Sequence, residues 1–384
     1  MHQIYLDNGA TSLPKAPGVA EAMAHYILDV GANIGRASYP AASEAALTAL
    51  GAREKLLKLF HFSDPSHVVF TSGATAALNQ AIKGFLHEGD HVIAGALEHN
   101  AVMRPLAQLM KHGVAISRME ADEQGFIDPD SLKKLIRPNT KLVVVSHASN
   151  VCGTLAPIEE IAAVCKEHGI PLVLDAAQTA GHYPVDFEAL SLSALCVPAH
   201  KGLLGPQGVG ALLLSPAFAK SLEPLISGGT GSMSDSEEIP SYMPDKFEAG
   251  TLNLPGIYGF DAALSFVLET GVEALRERET ALTARFLTGV EGVRSARLVG
   301  TAELARRVGV ISLDFLEKDN AAVAFALERD CGILTRCGLH CAPNAHKTLR
   351  TFPHGTVRFS VGYYTTEVEI DAAVAAIEKI CEFC

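Results

Sequence analysis

The feature that most constrains the fold is an alternation of short apolar runs and longer helical stretches between about residues 16 and 215. The apolar runs show no in/out alternation, which is typical of strands covered by helices on both faces. Repetition of strand and helix predicts an α/β fold with a mostly parallel sheet flanked by helices. The predicted strands are residues 67–71, 91–94, 141–146, 171–174, 194–197 and 209–214, and the predicted helices are residues 44–59, 75–86, 101–111 and 157–167.

The last third of the chain has a different pattern. A polar, Gly- and Ser-rich stretch at 227–238 predicts a loop or lid. Beyond Leu254-Pro255-Gly256 the sequence predicts one long helical tract at 258–290 and then a smaller α+β unit. The predicted elements of that unit are strands near 308–314 and 356–361 and helices at 321–330 and 366–380.

The length of 384 residues is compatible with two or three domains. The change of pattern after Pro255 predicts where they divide. We predict a large domain at 16–254 and a small domain built from 1–15 together with 255–384.

Composition and charge limit the partners. The formal net charge is −12, which argues against nucleic-acid binding through the general surface. No apolar run reaches the roughly 18 residues of a membrane span, and the first residues, from Met1 to Asp7, lack the features of a signal peptide. We therefore interpret the eight cysteines as thiols and predict a cytoplasmic protein with no membrane or nucleic-acid partner.

Two charged residues follow predicted strands. Asp175 comes directly after one apolar run, and Lys201 follows the next within an apolar neighbourhood. Such an aspartate is often a helix N-cap, and a single lysine usually faces solvent. Burial, however, lowers the pKa of a lysine and makes its amine nucleophilic toward an aldehyde. Pyridoxal 5′-phosphate (PLP) requires such a lysine and an acidic partner for its ring nitrogen, so the pair predicts PLP bound at Lys201.

A loop of small residues supplies a third motif. Thr71-Ser72-Gly73-Ala74-Thr75 joins a predicted strand to a predicted helix. Free N–H groups and the helix dipole at such a junction favour a phosphate. The loop is neither a Walker A motif nor a GxGxxG fingerprint. Its place in the chain predicts a phosphate-bearing cofactor at the carboxyl ends of the strands, where open α/β sheets bind ligands.

With these motifs in this order, the sequence resembles the class V aminotransferase family of fold-type I PLP enzymes. Within the family it is most similar to cysteine desulfurases and selenocysteine lyases. The resemblance extends from Tyr5-Leu6-Asp7-Asn8-Gly9 to Val357-Arg358-Phe359-Ser360. It implies the PLP-dependent transferase fold of type I, an amino-acid substrate and a homodimer with a shared active site.

The resemblance implies roles around the cofactor ring. His99 stacks on the ring and is a candidate acid/base catalyst. Asp175 pairs with the ring nitrogen, and Gln178 hydrogen-bonds the ring hydroxyl. Asn150 lies near that hydroxyl and the substrate, and Lys201 is both the covalent attachment point and the catalytic base.

It also implies the phosphate contacts. Ala74 and Thr75 bind the phosphate together with His200, and Thr251 reaches the phosphate held by the other subunit. The sequence departs from the family at Pro198, where many relatives have a phosphate-binding serine. One phosphate contact is therefore missing or supplied by another residue.

The remaining expectations concern the substrate. By the resemblance, Arg358 binds the substrate carboxylate through its planar fork. The segment 336–341 resembles the Arg-x-Gly-x-His-Cys motif of desulfurases that have a short catalytic loop, which makes Cys341 the persulfide-forming residue. Two alternatives stay open: Cys341 is an inert thiol, or it is a zinc ligand together with Cys337, His340 and His346, although their spacing fits no familiar structural zinc site.

The predicted function is that of a cysteine desulfurase without a bound metal. It removes sulfur from L-cysteine to give L-alanine and a persulfide on Cys341. The outer sulfur of the persulfide then passes to a thiol acceptor, for example a protein thiol. The alternatives are a selenocysteine lyase, another class V enzyme such as an aminotransferase, epimerase or sulfinate lyase, and a catalytically silent partner-binding subunit. The C-terminal pair Cys381 and Cys384 is predicted to have no catalytic role, and sulfur relay is the alternative.

Overall fold

The computed structural model describes residues 3–35 and 39–382. Its strands are β1 (Ile4–Tyr5), β2 (Val68–Thr71), β3 (His91–Ala94), β4 (Ala115–Arg118), β5 (Thr140–Ser146), β6 (Leu172–Asp175), β7 (Ala194–Pro198), β8 (Gly210–Leu214), β9 (Ala296–Val299), β10 (Val310–Phe315), β11 (Ile333–Leu334), β12 (Arg336–Gly338) and β13 (Thr356–Ser360). Its α-helices are α1 (Val19–His25), α2 (Pro40–Phe60), α3 (Ala74–Lys83), α4 (Asn100–Met110), α5 (Pro129–Leu135), α6 (Ile158–His168), α7 (Pro216–Ser221), α8 (Leu254–Thr270), α9 (Val272–Val290), α10 (Asn320–Cys331), α11 (Pro343–Thr348) and α12 (Glu367–Glu382).

The central sheet has seven strands in the order β2-β8-β7-β6-β5-β3-β4. The strands from β4 to β7 pair in parallel, and β8 is antiparallel to both of its neighbours. The buried strands are apolar because helices cover both faces of the sheet. The predicted α/β fold with a mostly parallel sheet is therefore confirmed, and the six strands predicted for it lie within one residue of their observed bounds.

The smaller unit is built around a four-stranded antiparallel sheet, β12-β13-β10-β9. The N-terminal strand β1 joins this part of the molecule by pairing in parallel with β11. The single helical tract predicted at 258–290 is wrong, because it consists of α8 and α9. The chain breaks between them at Gly271, whose φ of 87° lies in a region that side-chain-bearing residues rarely adopt.

Helix α8 packs against α1 and α2. Its apolar side chains, including Ile257, Phe260 and Leu264, belong to the core of the larger unit. The segment at 227–238 is a largely exposed loop without helix or strand. The division into 16–254 and 1–15 with 255–384 stays a prediction. Among the described residues, no helix combines the length and the apolar character required to cross a membrane.

Candidate active site

Six strands of the central sheet, β2 to β7, point in the same direction. Their carboxyl ends therefore form one edge of the sheet. At this edge, the residues that follow or end β2, β3, β5, β6 and β7 are, in that order, Gly73, His99, Asn150, Asp175 and Lys201. Segments far apart in sequence meet there because parallel strands place all their carboxyl ends together.

A cavity of about 700 Å³ opens at this edge. Eight of the nine predicted cofactor-binding residues line it: Ala74, Thr75, His99, Asn150, Asp175, Gln178, His200 and Lys201. The ninth, Thr251, is exposed and lines an adjoining cavity, which shares Ser72 and Ala76 with the first. Within one chain, Thr251 therefore lies beside the predicted cofactor site and not inside it.

Burial favours the neutral forms of both Lys201 and Asp175, and the charge of each opposes this effect on the other. Desolvation lowers the pKa of Lys201 to about 8, although the nearby Asp175 opposes this effect. Desolvation also raises the pKa of Asp175, against a hydrogen bond from the Ala177 N–H to Oδ1 (2.9 Å) and the charge of Lys201. A lysine with this lowered pKa has an appreciable fraction of free amine near neutral pH, which suits both nucleophilic and basic roles.

His99 is held in one orientation at the N-terminus of α4. Its Nδ1 accepts a hydrogen bond from the Ala101 N–H at 3.0 Å. Desolvation, with the charge of Lys201 as the next cause, lowers the pKa of His99 to about 4. The ring is therefore neutral at pH 7, and its proton is on Nε2.

Two amide side chains connect the cavity with other parts of the chain. Gln178 Nε2 donates to the Gly9 carbonyl at 3.0 Å, and Asn150 Nδ2 donates to the His340 carbonyl at 2.6 Å. Both amides are buried. Asn150 thus links the cavity directly to the loop that carries Cys341.

The other end of the cavity has the properties of an anion site. Gly73, with φ 141°, directs the chain from β2 into α3, where Ala74 and Thr75 form the first turn. The first N–H groups of a helix have no acceptor inside it. The buried His200 Nδ1 also has no hydrogen-bond partner among the described residues. These donors fit a phosphate group.

Pro198 lines the same cavity and offers no hydrogen-bond donor. The exposed Ser72 also lines it, and its hydroxyl is a further donor that the predicted phosphate contacts did not include. Its position inside the small-residue loop was the available signal.

The close approach of this loop to the sheet requires Gly210, since a Cβ there would lie 2.8 Å from Gly73 Cα and 2.5 Å from the Val197 carbonyl.

Arg358 lies on β13 and is buried. Its Nη2 binds Asp7 Oδ1 at 3.0 Å, and its Nη1 donates to the Asn150 carbonyl at 3.0 Å. Nε has no partner among the described residues. The half-exposed Arg336, opposite Arg358 on β12, binds the same Asp7 carboxylate. Two guanidinium groups against one carboxylate leave net positive charge at this position, which favours an anionic group.

Cys341 is exposed on a tight turn between β12 and α11. His340 and Cys341 have φ angles of 47° and 57°, a left-handed conformation that costs on the order of 1–3 kcal/mol for each residue. The turn is held by two hydrogen bonds to carbonyl groups: the Asn100 N–H donates to Cys341 at 2.7 Å, and Asn150 binds His340. The cysteine is therefore fixed to the rim of the cavity.

A buried hydrogen-bond chain supports this turn. His340 Nε2 lies 3.0 Å from Thr356 Oγ1, which donates to Ser312 Oγ, and Ser312 Oγ donates to the Val151 carbonyl. Desolvation lowers the pKa of His340 to about 2, so the ring is neutral and supplies the Nε2 proton. His340 thus has a supporting position behind Cys341.

The structure also bears on the zinc-site hypothesis and on the two C-terminal cysteines. Within 3–35 and 39–382, no group of three or more His, Cys, Asp or Glu residues is arranged to hold a metal ion. His346, one of the four candidate ligands, is buried with Nδ1 bound to Thr351 Oγ1. Cys381 is half-buried at the end of α12, whereas Cys384 lies outside the described residues.

Glu98 and Asp7 are further site residues that the sequence analysis did not identify. Glu98 is buried and accepts hydrogen bonds from the Ser146 N–H and hydroxyl, at 2.8 and 2.7 Å. Desolvation raises its pKa to about 8. Glu98 precedes His99, but no sequence pattern indicated its burial. Asp7 is 351 positions from Arg358, so only folding brings them together.

Comparison with known proteins identifies the family. The aminotransferase class-V family model matches residues 4–373. A probable cysteine desulfurase of Methanothermobacter thermautotrophicus is 33% identical over 381 residues, covering 98% of this chain and 94% of the relative. The cysteine desulfurase IscS of Dictyoglomus turgidum is 32% identical over 400 residues, covering 99% and 95%.

Solved structures agree with the sequence relatives. An apo cysteine desulfurase from Thermococcus onnurineus NA1 superimposes with a TM-score of 0.93 at 30% identity, over 100% of this chain and 95% of that one. The cysteine desulfurase CsdA of Escherichia coli has a TM-score of 0.88 at 26% identity, over 99% and 95%. The match of family model, relatives and fold shows that this chain belongs to the class V aminotransferase family.

Proposed function

We propose that this protein is a PLP-dependent cysteine desulfurase that converts L-cysteine to L-alanine and carries the sulfur as a persulfide on Cys341. The observation that carries the proposal is the exposed Cys341 turn, which Asn150 ties to the cavity lined by Lys201 and Asp175. The similar proteins described above, which are cysteine desulfurases or probable cysteine desulfurases, support it.

The cavity fits PLP in its donor set. The first turn of α3 and His200 would hold the phosphate, Asp175 would face the ring nitrogen, and Lys201 would form the covalent link. When bound, PLP supplies an electron sink for the substrate carbon next to the amino group. Its presence in this protein is part of the proposal.

The side chains then have separable tasks. Lys201, as free amine, accepts the proton from the substrate Cα. Arg358 orients the substrate through its carboxylate, and the neutral His99 places its Nε2–H toward the cavity. The Cys341 thiolate attacks the substrate sulfur: a new S–S bond forms, and the substrate C–S bond breaks with its electron pair left on carbon. Sulfur is thereby oxidised to the sulfane level, while the carbon, after protonation, becomes the methyl group of alanine.

The direct test is to measure alanine release from L-cysteine and from L-selenocysteine side by side, with detection of a persulfide on Cys341. We expect turnover of L-cysteine and a trappable persulfide. Strong preference for L-selenocysteine without a persulfide would favour a selenocysteine lyase, the second candidate in the same branch. Transamination without release of sulfur or selenium would contradict both.

Arg358→Ala is expected to raise KM for L-cysteine while PLP stays bound at Lys201. Removing one partner of a buried, charge-assisted pair costs about 2–5 kcal/mol, and the lower figure alone is a factor of about 30. Steady-state kinetics and the absorbance of the bound cofactor measure the two effects. Arg336→Ala is the control, because it removes a half-exposed partner of the same Asp7. An unchanged KM in Arg358→Ala would assign the carboxylate to another residue.

The proposal includes a homodimer with a shared active site. Large apolar side chains are exposed near the N-terminal helices and the 222–242 segment, among them Ile27 (61%), Leu28 (79%) and Ile226 (73%). Exposed apolar surface of this kind is typical of an interface. Thr251 is also exposed, as a residue serving the neighbouring subunit must be.

Thr251→Ala is therefore expected to weaken PLP retention without changing the dimer, because one phosphate donor is lost. Thr251→Ser, which keeps the hydroxyl, is the control and should retain PLP as the unmodified protein does. Sedimentation and equilibrium dialysis give the two readouts. A fully active monomer, or a Thr251→Ala variant that holds PLP as tightly as the unmodified protein, would contradict the shared site.

We also propose a cytoplasmic location and a protein thiol as sulfur acceptor. The described cysteines are free thiols, which suits a reducing compartment. Cell fractionation tests the location.

A further inference from the structure

A groove of about 970 Å³ begins beside the Cys341 turn. One wall is a face of α4 that includes Asn100, Arg104 and Met110, and these positions follow helical spacing. Asn100 is the residue whose N–H binds the Cys341 carbonyl. Asn344, in the helix directly after Cys341, also lines the groove. The groove therefore leads away from the proposed persulfide.

The opposite wall is β4, through Ile116 and Arg118. Strand β4 is an edge of the seven-stranded sheet and pairs with β3 alone, so this side of the groove is open. From Asn100 to Met110 the helix rises about 15 Å, a length that an extended segment of about five residues spans.

The charge of the groove differs from that of the whole chain. Arg104 and Arg118 are exposed, and in the described part of the chain neither forms an ion pair or a side-chain hydrogen bond. By contrast, Arg285, Arg329 and Arg350 are exposed and paired with carboxylates. Two free guanidinium groups on a protein of net charge −12 form a local site for negative charge.

The groove also has an apolar component. Met110, at its far end, is 57% exposed, and Ile116 is half-buried opposite. A flexible methionine beside an aliphatic side chain accommodates apolar side chains of varied shape. The combination favours a segment that carries both acidic and apolar residues.

We infer that this groove binds an acidic polypeptide segment of the protein whose thiol accepts sulfur from Cys341. The inference rests on the proposed desulfurase function. In the transfer, the acceptor thiolate attacks the outer sulfur of the Cys341 persulfide. A new S–S bond forms on the acceptor, the Cys341 S–S bond breaks, and Cys341 leaves as a thiolate that takes up the proton released by the acceptor. No external oxidant or reductant is needed.

The test uses persulfide-loaded enzyme and two short peptides with one central cysteine. One peptide has acidic residues and leucine on both sides of the cysteine, and the other has lysine at each acidic position. We expect transfer to the acidic peptide to be at least about 10-fold faster at low salt, and the ratio to fall as salt rises. In Arg104→Glu/Arg118→Glu the preference should be reversed.

The control is Arg294→Glu/Lys58→Glu, which makes the same charge change at exposed positions outside the groove. Its ratio should equal that of the unmodified protein. Equal transfer to both peptides, or an unchanged ratio in the groove variant, overturns the inference about the groove. In that case, continued release of alanine from L-cysteine in the presence of dithiothreitol still supports the desulfurase function. Absence of any persulfide on Cys341 refutes the proposed function and this inference together.

Discussion

Lys201→Ala is expected to lose the visible absorption of bound PLP and to lower cysteine turnover by a factor of about 10³ or more. The substitution removes both the covalent attachment point and the base that takes the Cα proton. Lys201 lies at the carboxyl edge of the sheet, where desolvation lowers its pKa to about 8 and Asp175 is the nearby acid. Absorption spectra of the purified variant and an alanine assay measure the two losses.

Lys15 is a demanding control for this prediction. Its pKa is also lowered to about 8 by desolvation, and its Nζ donates to the His200 carbonyl at 3.0 Å. It is therefore a competing amine close to the same segment, but it does not line the cofactor cavity. Lys15→Ala should keep the chromophore. A reducible cofactor–lysine bond that persists in Lys201→Ala and disappears in Lys15→Ala would transfer the covalent role to Lys15.

Cys341→Ser is expected to keep PLP and to lower sulfur release from L-cysteine by at least about 10³-fold, as removal of a catalytic nucleophile does. A serine hydroxyl is not ionised near neutral pH and does not form a persulfide. The activity with L-selenocysteine should fall much less, since a selenol is more acidic and its bond to carbon is weaker. Parallel assays with both substrates and persulfide trapping provide the measurement.

Cys337→Ser is the matched control. Cys337 lies in the same segment, on β12, but it is half-buried and desolvation raises the pKa of its thiol. Its substitution should leave turnover of L-cysteine nearly unchanged. If Cys341→Ser loses nothing with either substrate, Cys341 is a structural thiol and the desulfurase proposal fails.

Six of the seven strands of the central sheet, and the residues that meet at its carboxyl edge, could be predicted from local sequence. Buried strands in a parallel sheet are short, apolar and bounded by turn residues, and this pattern needs no knowledge of neighbours. The edge strand β4, Ala115–Arg118, was missed because it is half-exposed, carries Ser117 and Arg118, and lacks a continuous apolar run. The break at Gly271 was missed because apolar spacing continues from α8 into α9.

The sequence by itself determined the α/β alternation, the small-residue loop before α3 and the order in which Asp175, Lys201 and Cys341 follow one another. These features depend on residues that are close in the chain. The tertiary structure decided which distant groups meet: Asp7 with Arg358, Asn150 with the Cys341 turn, and α4 with β4 along the groove. It also decided the protonation of the site, because the pKa values of Lys201, His99 and Glu98 are set by burial, and burial depends on packing between segments far apart in sequence.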